Sequence, residues 1–121
     1  MIRGVRGATT IDADDPALMR DALQQLLSEI ISRNKIRTVD ISSVFFTVTH
    51  DIHAISPAKV ARELLDWTHV PLMCFQEPDI QGLPERCIRI LIQFETTRPQ
   101  ADVQSVYQGR AMILRPDLVS P

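Results

Sequence analysis

The chain has 121 residues, the size of one domain built around one core. Apolar residues make up 45% and charged residues 23%, which excludes disordered, collagen-like and coiled-coil classes. A net charge of -2 argues against a broad basic face for nucleic acid, and no apolar stretch approaches the ~20 residues of a membrane-spanning helix.

The N-terminal Met1-Ile2-Arg3-Gly4-Val5-Arg6-Gly7 sets two arginines where a secretory leader would carry its apolar run, so a cytoplasmic location is expected. There, Cys74 and Cys87 are expected to be free thiols. Ile2 to Thr10 alternates small and β-compatible residues and predicts a first strand. Asp15-Pro16 is a cap and first-turn pair. The helically spaced Leu18, Ala22, Leu23, Leu26, Leu27, Ile30 and Ile31 then predict a helix over about 16–34. Ile41 to Thr49, rich in β-branched and aromatic residues, reads as a buried second strand. Ser56-Pro57 repeats the cap signal and opens a second helix, ending near Trp67-Thr68-His69.

Val70 to Gln76 predicts a third strand, Pro78 to Pro84 a loop, and Arg86 to Glu95 a fourth strand. Arg98-Pro99-Gln100 opens a short helical turn, and Tyr107 to Leu114 reads as a fifth strand. This order predicts an α+β fold: a mixed five-stranded sheet with two helices packed on one face. The other face then lacks helices, and self-association with sheets facing inward would cover it.

Within Cys87-Ile88-Arg89-Ile90-Leu91-Ile92-Gln93-Phe94, alternation puts Ile88, Ile90, Ile92 and Phe94 on the core face, and Cys87, Arg89, Leu91 and Gln93 on the uncovered one. Arg89 there needs either an ion pair or a bound anion to offset its desolvation. Arg6, flanked by Gly4 and Ala8, is unobstructed: a strand-edge charge or a second anion contact. Glu77 ends the third strand beside the Gly/Pro loop, where functional groups gather. Cys74 has no His or Asp placed as a catalytic pair. Asp51 with His50 and His53 matches no familiar zinc spacing, so no metal is expected. Lys59 and Arg62 share a face of the second helix, which fits solvent exposure or an anion site. Tyr107, the sole tyrosine, offers a ligand a hydroxyl or merely caps the sheet edge.

Ile2-Arg3-Gly4-Val5-Arg6-Gly7-Ala8-Thr9-Thr10, Asp51-Ile52-His53-Ala54, Pro57-Ala58-Lys59, Arg62-Glu63-Leu64, Gln76-Glu77, Cys87-Ile88-Arg89, Val106-Tyr107 and Leu114-Arg115-Pro116-Asp117-Leu118 occur in an order and spacing that resembles the small trimeric, pseudo-α/β-barrel class of chorismate mutase. The resemblance implies a cofactor-free Claisen rearrangement of chorismate to prephenate. A protein speeds that step by selecting the compact conformer and fixing positive charge at the breaking ether oxygen. It further implies that Arg89 meets the ether oxygen and a carboxylate, while Arg6 and Tyr107 hold a carboxylate. Glu77 and Cys74 meet the ring hydroxyl, Arg62 and Lys59 arrive from a neighbouring chain, and Met73 and Leu114 line the substrate. By the same resemblance the tail, residues 116–121, lies near the site. Ser56 and Met73 depart from the family pattern, which carries an aromatic and a small polar residue there. Two alternatives stand beside the mutase: a trimeric imine or enamine deaminase, and a non-catalytic trimer that binds a dicarboxylate.

Overall fold

The computed structural model describes residues 1–116. In chain order the elements are β1 (Ile2–Thr10), α1 (Pro16–Asn34), β2 (Ile41–Val48), α2 (Pro57–Leu65), β3 (Leu72–Gln76), β4 (Cys87–Glu95) and β5 (Val106–Tyr107). Short 3-10 segments occupy Thr38–Asp40, Gln100–Asp102 and Gly109–Leu114. The strands form one mixed sheet in the order β3-β2-β4-β1-β5, with β4 antiparallel to both neighbours and the outer pairs parallel. Both helices lie on the face that carries Val5, Phe46, Ile88, Ile90 and Ile92, where Leu23, Leu26, Leu27 and Ile30 of α1 and Val60 and Ala61 of α2 complete the core.

The helix starts follow from capping chemistry. Asp15 Oδ2 accepts the N–H of Leu18 at 3.1 Å and Ser56 Oγ accepts that of Ala58 at 3.2 Å, each just ahead of a proline at the first helical position. Both helices end on a residue in the left-handed conformation, Lys35 and Asp66. The second therefore stops at Leu65, short of the expected Trp67. Trp67 is instead buried in the core behind the turn, its N–H donated to Arg62 O.

The fifth strand departs most from expectation. It spans only Val106–Tyr107, because Gly109 takes a left-handed φ of 58° and redirects the chain. A Cβ at Gly109 would lie 2.8 Å from Thr10 Oγ1, the same hydroxyl that accepts the Arg110 N–H at 3.0 Å. The segment Gly109–Leu114 winds as a 3-10 helix over one end of the helix-free face, where Ala111 and Leu114 pack with Ala8, Cys87 and Tyr107. That face is thus covered at one end by the chain's own C-terminal segment. The rest stays open, with Met73 and Phe75 exposed on it.

Candidate active site

Cross-strand register sorts the candidate residues. One row runs Phe75–Thr47–Arg89–Ala8–Tyr107 across all five strands on the open face. The row beside it runs Met73–Phe45–Leu91–Arg6 on the same face. Arg6 and Arg89 are therefore diagonal neighbours, and small Ala8 leaves the guanidinium of Arg89 clear toward Tyr107. Arg6, Phe45, Thr47, Glu77, Arg89, Leu91 and Tyr107 line a cavity of about 240 Å³.

Glu77 reaches this row from the end of β3. Its N–H continues the β2 pairing onto Val48 O at 2.8 Å, and its side chain is buried. Oε1 accepts the Thr47 hydroxyl at 2.5 Å and lies 2.6 Å from both Nε and Nη2 of Arg89. A buried carboxylate with a cation and a hydrogen bond is the condition under which burial is tolerable. The Arg6 side chain, by contrast, has no hydrogen-bond or ion-pair partner among the described residues. Across the Glu77–Arg89 pair lies a second cavity, walled by Pro78, Ile80, Gln81, Gly82 and Leu83 of the β3–β4 loop and by Leu114.

The remaining candidates lie elsewhere in the chain. Cys74 pairs with Phe46, which pairs with Ile90, so its side chain is on the helix side of the sheet, opposite Arg89. Burial raises its thiol pKa, partly offset by a hydrogen bond with Ser56 at the start of α2. Lys59 and Arg62 are exposed on α2. Met73 shares the open face, but three inter-strand steps put it roughly 14 Å from Arg6, beyond the span of one small ligand gripped by that arginine. Within one chain the candidates thus form two groups: Arg6, Glu77, Arg89, Tyr107 and Leu114 around the cavities, and Lys59, Arg62, Met73 and Cys74 near the β3 edge. Residues 117–121 of the expected tail lie outside the described residues.

Ser56, where the family pattern has an aromatic, caps α2 with its hydroxyl. The oxygens of Asp51 accept the Thr49 hydroxyl and the Arg86 N–H. Thr47 and Phe45 were missed as lining residues because Ile41 to Thr49 reads as continuously buried. Their even spacing on a strand with one open face is the signal that would have found them.

A family model for chorismate mutase type I matches residues 2–118. The chain belongs to the chorismate mutase type I family. It is 41% identical to the chorismate mutase AroH of Bacillus subtilis strain 168 over 118 residues, covering 98% of this chain and 93% of that protein. It is 38% identical to the chorismate mutase AroH of Thermus thermophilus over 121 residues, covering 99% and 98%. The solved chorismate mutase from Clostridium thermocellum superposes with a TM-score of 0.86 at 36% identity, covering 91% of this chain and 97% of that one. The protein is a chorismate mutase, an isomerase; these likenesses lend no support to the deaminase-like or non-catalytic alternatives. No helix among the described residues is long and apolar enough to cross a membrane.

Proposed function

We propose that the chain rearranges chorismate to prephenate in a site completed by a neighbouring copy in a cytoplasmic homotrimer. The observation that carries this is the charge balance of the open-face cavity. Glu77 neutralises Arg89, so Arg6 is left as the one unpaired cation among the described residues lining it. A dianionic substrate needs more positive charge than that, and the exposed Lys59 and Arg62 supply it when the β3 edge and α2 of a second chain abut the open face. The exposed Met73 and Phe75 are covered in the same step.

In this arrangement Arg89 presents N–H donors to the ether oxygen as the C–O bond breaks, Arg6 and Tyr107 hold a carboxylate, and Glu77 accepts the ring hydroxyl. Cys74 reaches that hydroxyl from the neighbouring chain. The reaction is unimolecular, with no proton transferred and no covalent intermediate. The protein therefore acts by holding the reactive conformer and by stabilising charge that develops only in the transition state.

The test is complementation. Arg89→Ala and Arg62→Ala variants, each inactive alone in a chorismate-disappearance assay, regain activity when co-expressed, because some sites then combine an intact Arg89 with an intact Arg62. Light scattering of the purified protein should give the mass of a trimer. A monomer, or mixtures as inactive as the separate variants, would refute the shared site.

A further inference from the structure

We infer that Thr47 is the positioning residue that fixes the Glu77 carboxylate and thereby the grip on the substrate's ring hydroxyl. This rests on the reading of Glu77 given above. Its starting point is an asymmetry in the carboxylate. Among the described residues, the polar contacts of the Glu77 side chain, one from Thr47 and two from Arg89, fall on Oε1. Oε2 has no partner among the described residues, and no sealed side-chain oxygen there lacks one, so Oε2 is the atom open to a ligand.

Of the groups on Oε1, Arg89 is the one a substrate competes for. A ligand carboxylate and an ether oxygen draw the guanidinium toward themselves, weakening its hold on Glu77. The Thr47 hydroxyl has no such rival. It has one proton to donate, already placed on Oε1 at 2.5 Å, and its β-branched side chain is stiff about χ1 on a central strand. Register sets Thr47 directly opposite Arg89, and the Glu77 N–H is tied to the next residue, Val48. Thr47 thus stays on Oε1 while Arg89 turns to the substrate, and Oε2 keeps its aim.

The ring hydroxyl takes no part in the bond that breaks, so its recognition is equal in substrate and transition state. Losing it raises KM and spares kcat. Thr47→Val keeps the shape and strand preference of the side chain and removes the hydroxyl. We expect KM for chorismate to rise about tenfold, the scale of one hydrogen bond to a charged group, with kcat within about threefold. Thr47→Ser restores the hydroxyl and keeps KM within about threefold of the parent. In a Glu77→Gln background, Thr47→Val should change KM by no more than about twofold, because the group it positions is gone.

A Thr47→Val KM within about twofold of the parent, while Glu77→Gln raises it, overturns the role of Thr47 and leaves that of Glu77 standing. Equal impairment in Thr47→Ser and Thr47→Val, or effects that multiply in the double variant, also overturns it, since a packing defect would behave that way. A Glu77→Gln protein with unchanged kcat and KM overturns the Glu77 reading itself, and the role of Thr47 with it.

Discussion

Arg89 and Glu77 are joined through a single carboxylate oxygen, with Nε and Nη2 of the guanidinium both 2.6 Å from Oε1. The pair sits at the boundary of two cavities, both of which Arg89 and Glu77 line. Removing either partner strands the other, and the carboxylate is the more buried of the two.

In the proposed role the guanidinium acts on charge that appears as the ether bond breaks, and Arg89→Gln is then expected to lower kcat by about 10²-fold or more while KM changes far less. Steady-state kinetics on chorismate decide it. Nearly unchanged turnover would remove Arg89 from the chemistry. The stability cost of stranding Glu77 is read separately by denaturation, and adding Glu77→Gln should recover stability without recovering kcat.

Asp51 governs how β4 begins. Its two oxygens receive the Arg86 N–H at 3.2 and 3.0 Å, while the Thr49 hydroxyl donates to Oδ1 at 2.6 Å and accepts from the Cys87 N–H at 2.9 Å. Arg86 itself sits at φ 47°, a conformation a non-glycine residue holds only when its surroundings fix it. Burial pushes the Asp51 carboxyl up, but the hydrogen bonds from Thr49 and the Arg86 N–H outweigh it, leaving the pKa below 3.8. A depressed acid stabilises the fold above its unfolded pKa and loses that contribution as pH falls through the folded value. Asp51→Asn should thus be destabilised most above about pH 4, with the gap to the parent narrowing in more acidic solution. Urea melts across pH 2–7 measure this, and a gap constant across that range would refute it.

The two cysteines are expected to behave as thiols with different access. Cys87 is buried between Ala8, Tyr107 and Ala111, and desolvation lifts its pKa to about 11 despite the opposing charge of Arg89. Cys74 is exposed, its pKa also raised. Iodoacetamide at pH 8 should modify Cys74 slowly and Cys87 only after unfolding, as mass spectrometry of the native protein would show. A raised thiol pKa favours the folded state fully below the unfolded value. That contribution is lost as pH climbs from about 9 toward about 11, and Cys87→Ser should weaken this alkaline dependence. Cys74→Ala should retain substantial turnover; its complete loss would return a covalent role to consideration.

Much of the fold was legible because capping and periodicity are local. Asp15-Pro16 and Ser56-Pro57 announce both helices, and alternation in β4 separates Ile88 and Ile90 from Arg89. The extent of β5 was not legible, since Tyr107 to Leu114 has the composition of a strand. What ends it is a long-range event, Gly109 meeting Thr10 across the chain. The site divides along the same line. Arg6, Arg89 and Tyr107 follow from alternation once the strand order is known. Thr47 becomes visible only when the β2–β4 register sets it opposite Arg89, and Cys74 parts from Glu77 only when its pairing with Phe46 turns it toward the helices.

Gly7 connects the helix layer to the site. It follows Arg6 on β1 and pairs with Val106 of β5, the residue before Tyr107. A Cβ there would stand 2.6 Å from Ile30 Cδ1 of α1, and 3.2 Å from both Ile90 Cγ2 and Val106 O. The first contact is the far end of a fully buried side chain, so the Ile30 δ-methyl must turn aside within a packed core, while Ile90 Cγ2 and the Val106 carbonyl must each give by a few tenths of an ångström. Gly7→Ala is therefore expected to destabilise the protein by about 1–3 kcal/mol in urea melts. Because Arg6 and Tyr107 border the strained position, KM for chorismate should rise in the same variant even where it is fully folded. Ile30→Val in the Gly7→Ala background removes the Cδ1 methyl and should recover part of the stability. A double variant less stable than Gly7→Ala alone would show that the overlap is relieved elsewhere and that α1 does not rest on this glycine.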